Sequence, residues 1–433
     1  MTNNKLIADL CAFLDSSPVN FFAVDTVRRR LEADGFSELD MAAPWSLKPG
    51  DRRYVVKNGS AVFAFIVGRK NPAESGFNII AAHSDSPCFR LKPGCEMACE
   101  GGAMKLNTEV YGGPILYTWF DRPLSIAGRV MLRTADPLRP ESRLVRFDEP
   151  LMVIPHLAIH FNRAVNEGNK LSKQKDMLPV MTLGTDAPKG YVRRLVAERL
   201  GVSEDDIIDY DLSLYNAEPA RVVGPARDIL CSGRIDDLSM VHAGLSALLA
   251  AASTDTAATR MLAVFDNEET GSGTKQGAAS PVLEHIMRRI CLAVAGNADE
   301  AFMRAVASSF MISADNAHGF HPNYGEKYDP TNHPVLGGGP CIKGNANCKY
   351  MTDADSAAVF SEICRIADVP CQYFVNHSDV AGGSTLGNIL TSNIPLRGVD
   401  MGAPVWAMHS AYETASTADH CATVAAFTTF MKL

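Results

Sequence analysis

The stretch Phe77-Asn-Ile-Ile-Ala-Ala-His83-Ser-Asp85 is a short apolar run that leads into a polar loop punctuated by proline. Its length and its continuous apolar character predict a strand that is buried on both faces, as in the middle of an α/β sheet. Such a strand delivers His83 at its carboxyl end. Ligands of open α/β sheets converge at the carboxyl ends of the strands, so this loop is the first candidate for a functional site.

The segments on either side of this strand alternate between helical and strand spacing. The dipeptide Asn58-Gly59, inside an alternating apolar run from 54 to 67, is a strong hairpin signal. Elsewhere apolar residues recur at helical spacing, and short apolar runs lie between them. The pattern predicts helices over residues 5–14, 21–34, 240–251, 282–289 and 354–367, and strands over 77–83, 261–265, 310–313 and 372–375.

The character of the sequence changes after Pro93. Four segments with β character follow, separated by Gly and Pro turns, at 106–110, 117–120, 124–132 and 144–159. After Gly224 the alternation of helix and strand resumes. The sequence therefore predicts an α/β domain, a sheet flanked by helices, formed by residues 1–92 and 226–433 and interrupted by an inserted β-rich domain at 93–225.

The composition is that of an ordinary globular enzyme, with 433 residues, 46% hydrophobic residues and 21% charged residues. Acidic residues number 49 and basic residues 41, for a net charge of −8. This balance argues against nucleic acid or a membrane surface as a partner. No apolar run reaches the ~18 residues of a membrane span, and the first residues lack a signal-peptide pattern. We expect a cytoplasmic protein.

Polar clusters recur at the ends of the apolar runs. Any one cluster could be a helix cap, a solvated acid or a packed histidine. Together, however, buried carboxylates repel one another unless a cation compensates them. A mixture of nitrogen and carboxylate ligands suits zinc, cobalt or manganese. The clusters are His83-Ser-Asp85, Arg234-Ile-Asp236-Asp237, Asp266-Asn-Glu268-Glu269, Ser313-Ala-Asp315 and Met408-His409-Ser410.

Six segments in this order resemble the M18 aminopeptidases of the aspartyl aminopeptidase type. They are HSD at 83–85, RIDD at 234–237, DNEETGS at 266–272, SADNAHGFHPNY at 313–324, GGPCIKGN at 338–345 and MHS at 408–410. The similarity also includes FLDSSPVNFFAV near the start and IHFNRAVNEG in the insertion. The resemblance implies a metallo-aminopeptidase sheet and an activity that releases N-terminal residues from peptides.

The resemblance further implies two zinc ions per subunit, for which cobalt or manganese could substitute. It distributes five ligands between the ions, with Asp236 as the bridge: His83 and Asp315 on one ion, Glu269 and His409 on the other. Asp237 stands beside Asp236 and is an alternative for the bridging role.

Two further residues receive catalytic roles by the same resemblance. Glu268 is implied as the general base and acid, because a carboxylate next to a ligand can take a proton from water and return it to the leaving amine. Asp85 is implied as the partner of His83, since a carboxylate two positions away can fix the imidazole tautomer.

The resemblance also implies substrate contacts and an assembly. His160 in the insertion is implied to reach the active site of a neighbouring subunit and touch substrate, with zinc ligation as the alternative. His156, four residues before His160, is not assigned a role in the site. Family members form large homo-oligomers, typically dodecamers built from dimers. The segments that match the specificity region contribute His318, His321, Lys343 and Tyr350.

Lys343 is the expected partner of an acidic side chain on the first residue of the substrate, so the resemblance implies release of N-terminal Asp or Glu. The rival hypothesis is a non-catalytic scaffold or chaperone-like assembly on the same fold. The adjacent pair Glu268-Glu269 argues against it, because a scaffold has no use for a base beside a ligand. A second HSD tripeptide, His377-Ser-Asp379, leads into a turn and is interpreted as structural or substrate-lining.

Overall fold

The structure is a computed structural model that describes residues 3–183, 189–296 and 299–433. Its contacts divide the chain into two compact units. The larger unit comprises Met1–Asp85, Ala220–Met408 and Glu413–Leu433. The smaller unit comprises Ser86–Pro219 and His409–Tyr412.

The helices and strands of the described residues follow in chain order. The helices are α1 Asn3–Ser16, α2 Asn20–Ala33, α3 Pro72–Ser75, α4 Tyr191–Leu200, α5 Ile235–Ala250, α6 Val282–Ala295, α7 Asp299–Ala307, α8 Ala354–Ile366, α9 Leu386–Asn393 and α10 Thr417–Phe430. The strands are β1 Ser37–Glu38, β2 Arg52–Lys57, β3 Ala61–Ile66, β4 Phe77–His83, β5 Cys88–Ala98, β6 Met104–Tyr111, β7 Leu124–Leu132, β8 Glu141–Arg146, β9 Val180–Thr182, β10 Ile207–Asn216, β11 Arg221–Val223, β12 Ile229–Ser232, β13 Thr259–Phe265, β14 Phe310–Ala314, β15 Ala317–His318, β16 Cys341–Gly344, β17 Gln372–Val375, β18 Arg397–Gly402, β19 Pro404–Trp406 and β20 Glu413–Ser416.

The larger unit is built on a mixed sheet with the strand order β1-β2-β3-β13-β4-β14-β18-β16-β17. Strands β13, β4, β14 and β18 run parallel to one another in its centre. A second sheet of the same unit has the order β11-β12-β20-β19-β15. The predicted α/β class with a buried strand at 77–83 is confirmed.

Both faces of the central sheet are covered by helices, and β4 shows why its sequence is continuously apolar. Ile80 and Ala82 pack in the hydrophobic core that includes helices α1, α2, α5, α8 and α10. Ile79 and Ala81 point to the opposite face and pack with helices α3, α6, α7 and α9. Because successive side chains of a strand alternate between faces, a strand covered on both sides is apolar over a continuous run, which in β4 extends from Ile79 to Ala82.

The smaller unit is built on an antiparallel sheet with the order β8-β7-β10-β5-β6-β9. It also holds helix α4, which is not among the helices predicted from the sequence. The predicted β segment at 117–120 is wrong: Leu116–Trp119 forms a 3-10 turn, closed by the hydrogen bond from the Thr118 N–H to the Ile115 carbonyl.

The predicted β segment at 144–159 is also wrong over most of its length. Strand β8 ends at Arg146, and beyond it only isolated bridges occur before a 3-10 turn at Ile159–Phe161. Pro150 and Pro155 lie in this stretch, and proline cannot donate a backbone hydrogen bond to a sheet.

The chain passes between the two units at Asp85/Ser86, Pro219/Ala220, Met408/His409 and Tyr412/Glu413. The first two of these lie earlier than the boundaries at 92/93 and 225/226 expected from the sequence. Strand β5 continues past Pro93, where the composition changes, although its register with β6 shifts between Leu91 and Glu96. Ala220 is tied to the larger unit because its N–H donates to the Asp15 carboxylate at 2.8 Å.

Among the described residues, no helix has both the length and the apolar character that a bilayer crossing requires.

Three helices of the larger unit share a buried polar contact. The His242 Nε2 lies 2.9 Å from the Asp9 carboxylate, and the His242 Nδ1 lies 3.0 Å from the His420 Nε2. Burial lowers the pKa of both imidazoles, and for His420 the pKa falls well below its usual value. The hydrogen bond from His242 lowers the pKa of Asp9 to about 2.

We expect this contact to make the larger unit sensitive to mild acid. Because burial lowers the pKa of both imidazoles, the folded protein binds protons on them less readily than the unfolded chain, which binds them below about pH 6.5. The free energy of unfolding should therefore fall as the pH drops from 7 to 5, by up to about 1.4 kcal/mol per pH unit for each histidine. Denaturant unfolding at several pH values measures the slope of the free energy of unfolding against pH. His420→Phe should reduce the slope, and His285→Phe, at an exposed position of α6, should not; equal slopes in all three proteins would contradict the expectation.

Candidate functional site

The predicted site residues of the larger unit gather at one edge of the central sheet. Strands β13, β4 and β14 are neighbours, and since they are parallel, their carboxyl ends lie at the same edge. His83 is the last residue of β4, and Asp315 follows β14 directly. The segment from 266 to 269 follows β13, and Asp236 lies in the first turn of helix α5.

Four of these residues form a buried group of possible metal ligands. Donor atoms of His83, Asp236, Asp237 and Asp315 all lie within 4.8 Å of one another. The His83 Nε2 is 3.6 Å from the Asp236 carboxylate and 4.0 Å from the Asp237 carboxylate. All four residues are buried, with Asp315 the most exposed at 8%.

The group has three carboxyl groups and only one imidazole, so negative charge is in excess. Burial, together with Asp315 and Asp236, raises the pKa of Asp237 well above its usual value, although His83 opposes the shift. Burial alone would lower the pKa of His83, but Asp237, Asp236 and Asp85 outweigh it and hold the pKa well above its usual value. A cluster of this kind is stabilised by positive charge.

Asp85 organises the residues around it. Its carboxylate accepts the backbone N–H of Glu268 at 3.1 Å and that of Glu269 at 3.2 Å. The His83 Nδ1 lies 3.0 Å from the Asp85 backbone carbonyl and 3.4 Å from its carboxylate. Because Nδ1 of His83 faces Asp85, Nε2 is the ring nitrogen that can bind a cation beside Asp236 and Asp237.

Glu268 and Glu269 form a second group with His83, again with donor atoms within 4.8 Å. Burial raises the pKa of Glu268 to about 9, with further contributions from Asp315, Glu269 and Asp85 and an opposing one from His83. A carboxyl whose pKa is strongly shifted by burial and by neighbouring charges is a candidate for general acid and base chemistry.

The residues fit a divalent metal. The donor set combines an imidazole nitrogen with carboxylate oxygens, the ligands that zinc prefers. One carboxylate oxygen, Oδ1 of Asp237, is buried and has no hydrogen-bond partner in the described part of the chain. A buried oxygen of this kind is costly unless a cation or a proton compensates it.

Lys343 lies next to this group rather than in an open binding pocket. Its ammonium is 3.3 Å from the Asp315 carboxylate and 5.7 Å from the centre of the Tyr350 ring. Although burial opposes its charge, Asp315 and other nearby acids hold the pKa of Lys343 above its usual value. The described structure thus pairs Lys343 with Asp315.

His318 and His321 lie on the larger unit, close to each other along the chain. His318 ends strand β15, and its ring packs against Phe374 at a centroid distance of 5.8 Å. His321 packs against the Tyr324 ring at 4.9 Å. Both line a cavity that does not include Lys343 or Tyr350.

The predicted residues His409 and His160 belong to the smaller unit. The His409 Nδ1 lies 3.0 Å from the Gly113 carbonyl, which leaves Nε2 as its other possible ligand atom. His160 is exposed on the 3-10 turn Ile159–Phe161. Their assigned roles stay predictions.

Sequence reasoning missed Glu413. This carboxylate is 2% exposed and accepts the backbone N–H of Asp236 at 3.0 Å, so it fixes the residue that the resemblance makes the bridge. No motif marks it, because it sits in an ordinary strand segment. The one available signal was a single acidic residue in the otherwise uncharged segment Ala411-Tyr-Glu-Thr-Ala415.

Comparison with known proteins agrees with this geometry. Residues 13–431 match the family model described as "Aminopeptidase I zinc metalloprotease (M18)". The chain is 46% identical over 431 residues to "Probable M18 family aminopeptidase 2" of Clostridium novyi (strain NT), with 99% of each chain covered.

Solved structures show the same architecture. A chain of the cryo-EM structure of the Ape4 and Nbr1 complex is 33% identical, with a TM-score of 0.95 over 99% of this chain and 86% of that one. The mApe1 dodecamer of S. cerevisiae is 25% identical, with a TM-score of 0.86 over 99% of this chain and 97% of that one. With the family model spanning nearly its whole length, the chain belongs to the M18 family of zinc metalloaminopeptidases.

Proposed function

We propose that this aminopeptidase releases acidic residues, Asp or Glu, from the N-termini of peptides, with two divalent cations in its active site. The observation that carries the proposal is the buried group of His83, Asp236, Asp237 and Asp315 beside Glu268. Aspartyl, glutamyl and neutral aminoacyl reporters, assayed with and without a chelator, test it. Faster cleavage of the acidic reporters that a chelator abolishes would support it, and a preference for neutral residues would overturn the specificity.

The proposed ligands are the five that the resemblance implies. Asp237 is the alternative bridge. Zinc is the proposed metal, with cobalt or manganese as substitutes. The bound cations would act as Lewis acids on the scissile carbonyl and make water more acidic. The ligands are His83, Asp236, Glu269, Asp315 and His409.

Glu268 moves the proton in this mechanism. Its carboxylate takes one proton from the attacking water as the water oxygen bonds to the scissile carbon. It then gives that proton to the nitrogen of the departing peptide when the carbon–nitrogen bond breaks, and so returns to its ionised form. Asp85 is the positioning residue, because its carboxylate holds the backbone of Glu268 and Glu269.

We expect Lys343→Met to change the substrate preference. If its ammonium recognises an acidic first residue, kcat/KM should fall about tenfold or more for Asp and Glu reporters relative to neutral ones, the usual loss for one charge-assisted hydrogen bond. Since Lys343 also contacts Asp315, zinc content must be measured in parallel. An equal loss for acidic and neutral reporters would assign Lys343 a structural role.

We also propose that the chain forms a homo-oligomer, a dodecamer, in which His160 contacts substrate in a neighbouring subunit. His160 lies among exposed apolar side chains: Leu157 is 57% exposed, Ile159 50% and Phe161 80%. Apolar patches of this kind mark interaction surfaces. The dodecamer of the S. cerevisiae relative supports a closed assembly of this size.

Mixing two inactive variants tests the shared site. His160→Phe should abolish activity but retain metal, because the proposed role of His160 is to bind substrate. Mixed with Glu268→Gln subunits, it should regain part of the activity through hybrid sites that receive an intact residue from each parent. Absence of complementation, in mixtures whose subunit exchange is verified by native mass spectrometry, would rule out the shared site.

A further inference from the structure

A cavity of about 390 Å³ lies in the larger unit. One of its lining residues, His318, follows the proposed ligand Asp315 closely in the sequence. No residue that lines it is acidic, in a chain whose net charge is −8. Its lining is mostly apolar and aromatic, with several side chains that can donate hydrogen bonds. We call it the basic-aromatic pocket, and the residues that define its character are His318, His321, Tyr324, Lys327, Tyr328 and His377.

Two of the imidazoles are held as donors. The Nδ1 of His321 accepts the backbone N–H of Asn323 at 3.2 Å, and the Nδ1 of His377 accepts that of Asp379 at 3.2 Å. A ring nitrogen that accepts a hydrogen bond carries no proton, so each imidazole has its proton on Nε2. The Asp379 carboxylate is 3.9 Å from His377 but its side chain is 93% exposed.

Lys327 adds a full positive charge to these donors. An ammonium together with two imidazole N–H groups and tyrosine hydroxyls is complementary to a carboxylate, which only accepts hydrogen bonds when ionised. A pocket of several hundred cubic ångströms with a few converging polar groups has the size and character of a ligand site.

The pocket adjoins the proposed active site through two connections. His318 follows Asp315 by three residues. Phe374, which also lines the pocket, is the register partner of Lys343 across the parallel pair β16 and β17. An extended peptide advances about 3.3 Å per residue. The substrate residues that follow the scissile bond therefore extend beyond the metal ligands within a few positions.

We propose that the basic-aromatic pocket binds a carboxylate of the peptide substrate on the leaving side of the scissile bond. The carboxylate is either the C-terminus of a short peptide or an acidic side chain downstream. The proposed carboxylate site rests on the aminopeptidase activity of the family and not on the preference for an acidic first residue. Lys343 is buried against Asp315, so Lys327 is a second, separate cation for substrate recognition.

The experiment compares three tetrapeptides that share their first residue, chosen as the one that the enzyme releases fastest. The first peptide has a free C-terminus, the second is its C-terminal amide, and the third is an amide with Glu at position three. The measured quantity is the ratio of kcat/KM for each carboxylate peptide to that of the plain amide. It is determined for the holoenzyme, for Lys327→Gln, and for the matched control Lys48→Gln, whose lysine is exposed elsewhere on the larger unit.

In the wild type we expect a kcat/KM ratio of about ten or more, caused by a lower KM for the carboxylate peptide. In Lys327→Gln we expect a ratio close to one, because one charge-assisted hydrogen bond is lost. Lys48→Gln should keep the wild-type ratio. A high ratio for the free C-terminus alone identifies that source, and a high ratio for the glutamyl amide identifies the side chain. Ratios of one for both peptides in the wild type, or an equal loss on all three peptides in Lys327→Gln, would overturn the proposal. The preference for an acidic first residue does not enter these ratios, so its failure is seen separately with the aminoacyl reporters.

Discussion

Glu268→Gln should lower kcat by about 10²–10⁴-fold, the range that a positioned general acid or base contributes. The amide has nearly the same shape as the carboxyl but cannot accept the proton of the attacking water. The fold should be unaffected, because Asp85 holds this segment through the backbone N–H of Glu268 and not through its side chain. The measurements are kcat on a peptide substrate and the zinc content of the purified variant.

A matched substitution separates this effect from the loss of one negative charge. Glu100→Gln removes a carboxylate from an exposed turn of the smaller unit and should leave kcat at the wild-type value. Glu268→Gln with normal metal content and near-normal kcat would remove Glu268 from the mechanism. If the variant instead lost its metal, Glu268 would be a ligand rather than the base.

His83→Ala should produce the largest loss of metal. The imidazole Nε2 is the nitrogen donor of a group otherwise made of carboxylates, and its side chain is 1% exposed. Groups that only orient a ligand already contribute about 10–100-fold to metal affinity, so the loss of the ligand itself should cost more. Zinc titration of the apoprotein and the unfolding temperature with and without zinc measure the effect, because a ligand that binds only the folded state stabilises it.

His285→Ala is the control for this variant, since His285 is exposed on helix α6. It should retain the zinc affinity and the zinc-dependent rise in unfolding temperature of the wild type. A zinc affinity in His83→Ala equal to that of His285→Ala would show that His83 is not a ligand.

The fold was predictable from sequence wherever burial dictates residue type. Strand β4 packs against helices on both faces and is therefore apolar at four successive positions, Ile79 to Ala82, a run that is recognisable in the sequence. The same held for the polar residues at the ends of β4, β13 and β14, since parallel strands bring their carboxyl ends together. In the smaller unit the local pattern was ambiguous: Tyr117 is exposed and Trp119 buried, an alternation that fits a strand and also fits the turn that forms.

The site was only partly predictable, because spacing shows which residues are polar but not which atoms meet. Nothing in the sequence indicates that the Asp85 carboxylate accepts the backbone N–H of Glu268, or that Glu413 holds Asp236. Lys343 is the clearest case. Its charge type suggested a substrate contact, whereas the ion pair with Asp315 depends on strands that are distant in sequence.

The position of the smaller unit along the chain has a consequence for synthesis. It begins at Ser86, immediately after strand β4 and its loop have been made. The sheet neighbour β13 begins only at Thr259, so 175 residues must still be translated after His83 before the central strand can pair with it. At ~5–20 residues per second this takes about 9–35 s. During that time the nascent chain carries an apolar strand without its native neighbours. Most of the smaller unit, from Ser86 to Pro219, is made in the same interval and can fold before β13 appears. The protein therefore has an interval on the ribosome when a chaperone that covers residues 77–83 would protect it from aggregation.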